Sequence, residues 1–265
     1  MRYLAPVILI ATCVAGFSSD FRPFDGPKPL AVLIGTDPWA MVIGSDTPHC
    51  AIYEDHAALF ARPDGIYRHQ LTDQQFAELM KHVTPVMNLK SVKSYFDLAP
   101  NITDQPEAKF YFDIGGKTVA TTVYGLMPAD TRLSAHTVFP GSKKSDKLPT
   151  ELGRLYEFLL KLDYPHSERW TPKYIEVMIW PYEYAPDESI KWPAGWPQLD
   201  SERASKRGDS YSIFLDGQLL PQLERFVRSR KERGAVELGG HKWAIEYRYV
   251  FPSEPIWHKA LERRE

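Results

Sequence analysis

One pattern constrains this chain more than any other: two alternating apolar runs joined by Gly-Gly, and it occurs twice. The first copy is Lys109-Phe110-Tyr111-Phe112-Asp113-Ile114-Gly115-Gly116-Lys117-Thr118-Val119. The second is Ala235-Val236-Glu237-Leu238-Gly239-Gly240-His241-Lys242-Trp243-Ala244-Ile245. Alternation predicts strands buried on one face. Gly-Gly between them predicts a tight hairpin, because both central residues of the favoured turn need positive φ.

An amphipathic helix is expected before each hairpin. Thr72-Asp73-Gln74-Gln75 fits a capping box, and Phe76, Leu79, Met80 and Val83 follow at helical spacing up to Pro85. The segment Leu215–Val227 can be laid on Leu71–Val83 without a gap, with Asp216 standing in for Thr72 as the cap and Pro221 early in the helix. Strand-like sequence precedes each helix: Cys50–Ala61 and Ile66–Leu71 around the turn Arg62-Pro63-Asp64-Gly65, then Tyr174–Tyr184 and Tyr211–Leu215. A linking helix is expected from Thr150 to about Leu162, with Leu152, Leu155, Tyr156 and Leu159 on one face. The expected fold is therefore α+β: two β-β-α-β-β units, each an antiparallel sheet with a helix packed on one face. The repeated order reads as an internal repeat.

The expected division is an export signal at residues 1–19, an extended segment at 20–50, a first unit at 51–170 and a second at 171–265. The N-terminus has one basic residue, Arg2, then the apolar run Leu4–Ala11, small residues and a polar start at Ser18. That order predicts export to the periplasm, the envelope or the medium. The run is too short to span a bilayer, which takes about 20 apolar residues. Cleavage near Ala15–Ser19 would release a soluble protein. Ile10-Ala11-Thr12-Cys13 loosely resembles a lipobox, so Cys13 is the candidate lipidation site and the sole expected attachment to membrane. In either form Cys50 lacks an intrachain partner, so the core and not a disulfide must hold the fold.

Residues 51–170 carry Leu71-Thr72 at a helix start, Asp104-Gln105-Pro106, the Gly116-Lys117 hairpin, Tyr124-Gly125, a leucine-rich helix and Trp170. In this they resemble an uncharacterised bacterial extracytoplasmic domain family, a domain of unknown function. Members tend to have threonines after the Asp-x-Pro, where this chain has Glu107-Ala108-Lys109. The resemblance implies secretion and an α+β fold, and it brings no catalytic residue with it.

A search for chemistry finds no GxSxG, HExxH, Walker A, CxxC or GxGxxG pattern. No catalytic residue and no cofactor is expected. His49, Cys50, Asp55 and His56 have metal-ligand chemistry but no standard zinc spacing, and strand alternation would put Cys50 and Asp55 on opposite faces, so no metal is expected. Asp104, Glu107 and Asp113 are surface carboxylates that could pair as acid and base. The net charge of -2 argues against a nucleic-acid partner.

Six of the seven tryptophans lie from Trp170 onward, and this concentration sets the candidate surface. Trp180, Glu183, Trp192 and Trp196 are read as a ligand or partner surface, with Asp187 and Glu188 nearby. The structural reading, favoured because tryptophans are mostly structural, is that the Trp-Pro loop closes over the core. Arg225, Arg228 and Lys231, in a basic run with Arg230 and Arg233, read as a solvated helix end whose cations suit the dipole, with a patch for an anionic partner as the functional alternative. The expected function is an exported binding or protein-interaction module without catalysis, its partner an envelope protein or glycan. The alternative is a glycan hydrolase using the carboxylates beside the Trp-Pro loop.

Overall fold

The computed structural model describes residues 21–36, 38, 46–90, 92–128 and 144–262. The fold is α+β, with two mostly antiparallel sheets. The first sheet holds β1 (Pro29–Thr36), β2 (Pro48–Tyr53), β3 (Ala57–Arg62), β4 (Gly65–Gln70), β5 (Tyr95–Asp97), β6 (Glu107–Ile114), β7 (Lys117–Tyr124) and β8 (Glu168–Arg169). Their order is β5-β7-β6-β1-β2-β3-β4-β8, and the β5–β7 pair is parallel. The second sheet holds β9 (Tyr174–Pro181), β10 (Asp187–Lys191), β11 (Ala204–Arg207), β12 (Ser210–Asp216), β13 (Gly234–Leu238) and β14 (His241–Tyr249). Their order is β10-β13-β14-β9-β12-β11, and the β10–β13 pair is parallel.

Helices α1 (Asp73–Met87) and α2 (Thr150–Leu160) pack together on one face of the first sheet. The capping box forms as the sequence requires: Gln75 N donates to Thr72 Oγ1 at 3.2 Å, and Thr72 N donates to Gln75 Oε1 at 2.9 Å. Helix α1 runs two residues past Pro85. Proline there removes one hydrogen bond in the last turn, which the helix end tolerates better than its middle. In α2 the expected face of Leu152, Leu155, Tyr156 and Leu159 is buried.

Both glycine hairpins form, and their turns match. Gly115 and Gly116 have φ of 60° and 78°; Gly239 and Gly240 have 61° and 81°. These are the positive angles of a type I′ turn. The hairpins enter their sheets differently, however. In the first, the leading strand β6 pairs with β1 and β7 lies outside it. In the second, the trailing strand β14 pairs with β9 and β13 lies outside it. The two hairpins share a local design and not a sheet topology.

The helix alignment holds in part. Leu79 and Leu223 are both buried at matched positions. Asp216 does not cap: α3 (Leu220–Ser229) begins after a short 3-10 turn, and Asp216 pairs with Arg203 at 2.9 Å instead. The expected single run Cys50–Ala61 is two strands, β2 and β3, reversed at Glu54–His56 with His56 at φ 63°.

Both termini cross the expected boundary at residue 170. Residues 29–36 and 48–50 were expected in a segment ahead of the first unit, yet β1 lies at the centre of its sheet. The reason is the unbroken run Leu30–Ile34: Ala31 and Leu33 enter the core under α1 and α2, and Val32 and Ile34 enter the core on the other face. Ahead of β1, residues 21–26 run over the back of the second sheet. Phe21 packs edge-on to Tyr174 and Phe214, and Phe24 packs edge-on to Phe214. Conversely, α4 (Glu254–Glu262) leaves the second unit and packs on β1, β6 and β7 of the first. Ser253 N donates to Phe24 O at 2.6 Å, fastening the two crossing segments to each other.

Candidate functional site

The four residues expected to share one surface are divided between three places. Trp192 and Trp196 are 6% and 8% exposed and close the second core over α3. Their rings meet edge-on at 5.0 Å, both pack edge-on to Phe226, and Trp192 Nε1 donates to Pro197 O at 3.0 Å. This corrects the surface reading for both residues. The proline-rich loop turns its large rings inward, where they bury apolar area against Phe226 and the second core. Trp180 is half-buried on the opposite face of the sheet, at the end of β9. Glu183 stays at the surface and accepts a hydrogen bond from His241 Nδ1 at 3.0 Å. Between them and beyond, Tyr182 is half-buried and Tyr184 is 96% exposed.

The remaining carboxylates of that region are engaged as well. Asp187 accepts from Arg233 N at 3.1 Å, and Glu188 pairs with Lys231 at 3.2 Å. Trp192 and Trp196, the aromatics on which the hydrolase alternative relied, are interior.

The basic run is largely exposed, and most of its members have local partners. Arg228 pairs with Glu224 at 3.9 Å, and Lys231 is the partner of Glu188. Arg230 Nη1 donates to the carbonyls of Lys231, Glu232 and Gly234. Among the described residues Arg225 alone of the run has neither an ion pair nor a hydrogen bond, since Arg230 bonds to carbonyls. Arg225, Arg228 and Lys231 all remain exposed at this helix end, with Arg228 and Lys231 beside local acids.

Cys13 and the export signal lie outside the described residues. Among the described residues no group of three or more His, Cys, Asp or Glu could hold a metal ion. His49 and His56 sit at opposite ends of β2: His49 Nε2 donates to Leu160 O at 2.9 Å, and His56 stacks on Phe76 at 4.0 Å. Glu107 faces Lys109 at 3.5 Å, while Asp113 pairs with Lys28 at 3.0 Å.

Cys50 is buried, and desolvation pushes its thiol up to about 12 against a smaller opposing hydrogen bond from Leu33. A thiol so placed has almost no thiolate, the reactive form. In a Cys13→Ser chain, where Cys50 is the sole thiol, a disulfide reagent should label the denatured protein and spare the native one. Rapid native labelling would show that β2 opens far more readily than its burial implies.

A cluster that the sequence reading missed lies where the two units meet. Arg248 Nη2 donates to Glu254 Oε1 at 2.6 Å and also meets Glu176 Oε2. Arg207 reaches the other oxygen of Glu176 at 3.1 Å. Glu254 also accepts from Phe251 N at 3.1 Å, and His258 Nε2 stands 3.8 Å away. Glu176 is 0% exposed and Glu254 3%. Burial works against the charge of Arg248, but Glu254 and then Glu176 outweigh it and hold its pKa above the ordinary guanidinium value. Burial, reinforced by Glu254 and Asp55, pushes the Tyr53 hydroxyl well above its usual range. The residues come from β9, β11, β14 and α4, so this is a joint between the sheets. Its buried carboxylates are balanced by Arg248 and Arg207.

Comparison with known proteins adds no neighbour: no protein family, no curated protein and no solved structure matches the chain. Among the described residues no helix is long and apolar enough to cross a membrane.

Proposed function

We propose that the protein is an exported, envelope-associated binding or protein-interaction module that acts without catalysis. The observation that carries this is the loop from β9 to β10. It presents Tyr184 almost fully to solvent beside the Glu183–His241 pair, with Trp180 and Tyr182 partly covered at its base. Tyrosine and tryptophan at a protein surface supply large contact area with a polar handle and dominate many binding interfaces. The acids of the neighbourhood are tied into pairs, which favours recognition over proton transfer. The N-terminal pattern supports export, and the resemblance of residues 51–170 to an extracytoplasmic domain family points the same way.

The partner face belongs to this loop, not to the Trp-Pro loop. A photo-crosslinker at position 184, used in envelope extracts of the native host, should yield a discrete adduct that Glu183→Gln weakens. Tyr184→Ser should change stability by no more than about 0.5 kcal/mol, as for an isolated surface side chain. It should also abolish competition by the unlabelled protein. Undiminished competition would remove the loop from the interface. Mass spectrometry of the mature protein tests export: its N-terminus should lie at lipidated Cys13 or within residues 16–20, and an intact Met1 in envelope-free cytoplasm would overturn it.

A further inference from the structure

We propose that the first unit holds a binding site for a small uncharged compound with an apolar body and one hydroxyl group, of the size of a substituted phenol. The site is a pocket of about 250 Å³ at the end of the first sheet, under α2. Antiparallel pairing brings the C-terminal ends of β1 and β3 and the N-terminal end of β2 to that one end. Leu33, Pro48, Ala61 and Leu160 make apolar walls, while His49 and Thr47 supply polar groups. This site is separate from the β9–β10 loop and does not depend on the reading given to it.

The size selects the ligand first. Drug-sized ligands occupy pockets of about 300–1,000 Å³, and an apolar cavity of about 150 Å³ already accepts benzene. The space here fits one substituted ring. Among the described residues the lining contains no Asp, Glu, Lys or Arg, so a charged ligand would lose its hydration without gaining a permanent counter-ion from them.

His49 then sets the polar contact, and the strand geometry shows that it is placed for the pocket. Leu33 pairs with Cys50 but Ile34 pairs with Pro48, so His49 is the extra residue of a β-bulge. Regular alternation would send it to the face of Ala51 and Tyr53, which the core on the α4 side occupies. The bulge turns it towards α2 instead, where its Nε2 donates to Leu160 O at 2.9 Å. A carbonyl can only accept, so that nitrogen carries the hydrogen. In the neutral ring Nδ1 is then an acceptor, suited to a hydroxyl donor. Gly35 also lines the pocket, and a Cβ built there meets nothing within 4 Å. A larger side chain at position 35 can therefore occupy the space without clashing with the backbone.

The test is calorimetric titration of the full chain with 4-ethylphenol, ethylbenzene and 4-ethylbenzoate. The phenol should bind saturably and about two- to ten-fold more tightly than ethylbenzene, the margin of one net hydrogen bond. Gly35→Leu should abolish binding of both while the melting temperature holds. His49→Phe, which keeps a ring and removes the nitrogens, should bring the phenol down to the affinity of ethylbenzene. If that variant fails to fold, Gly35→Leu still decides. The absence of saturable binding, unchanged binding by Gly35→Leu, or tighter binding of the benzoate than of the phenol would each overturn the proposal.

Discussion

Arg248→Met should destabilise the protein by about 3–5 kcal/mol, read as a fall in the urea midpoint at constant slope. The variant keeps most of the side-chain volume and deletes the charge shared by two carboxylates. Glu254 loses its 2.6 Å partner, and Glu176, wholly buried, keeps only Arg207 at 3.1 Å. Two negative charges that met one guanidinium are left facing each other away from water. The magnitude comes from those stranded charges and not from the pair's own net worth, which desolvation largely cancels. A triple variant, Arg248→Met with Glu176→Leu and Glu254→Leu, should therefore recover most of the loss. A single-variant cost below about 1 kcal/mol would mean that the joint is hydrated like a surface pair.

Trp257→Ala should cost a similar amount, about 3–5 kcal/mol, as for other large core aromatics. Trp257 is 0% exposed and anchors α4 in the core formed by Val32, Ile34, Tyr111 and Phe251. The cavity cannot collapse easily, because the sheet below it is central and α4 is fixed at its start by Glu254 and Ser253. For a chain of this size the melting temperature should fall by roughly 6–20 °C. Because α4 belongs by sequence to the second unit and by packing to the first, the loss should be seen in both halves at once. Hydrogen exchange that rises in α4 alone would show that the helix is an appendage.

These two expectations explain why the units do not behave as beads on a string. The N-terminal segment covers the second sheet and the C-terminal helix covers the first, so each unit completes the other's core. The Arg248 cluster sits at that crossing. Its position suits a structural joint, and the β9–β10 loop and the pocket beneath α2 are the two recognition sites proposed.

The sequence by itself determined the local elements whose physics is local. Gly115-Gly116 and Gly239-Gly240 require a turn with two positive φ values, and both turns form. Thr72 and Gln75 close their own capping box, and the apolar faces of α1 and α2 follow from spacing alone. The tertiary structure decided whatever depends on what covers a face. Glu176 alternates with Ile175 and Val177, which in a single strand reads as an outward polar residue. It is buried because α4 and the N-terminal segment, both distant in sequence, cover that side of the second sheet. Trp192 and Trp196 read as a surface or as a core lid, and only the position of Phe226 on α3 settles them as a lid. The helix Glu254–Glu262 had a faint signal, Ser253-Glu254-Pro255 ahead of Trp257 and Ala260, but its docking site is the other unit. His49 carries no mark of its role in sequence, since a β-bulge exists only once two strands have paired. Periodicity reports which side of an element is apolar; which neighbour buries it is set by contacts between residues far apart in the sequence.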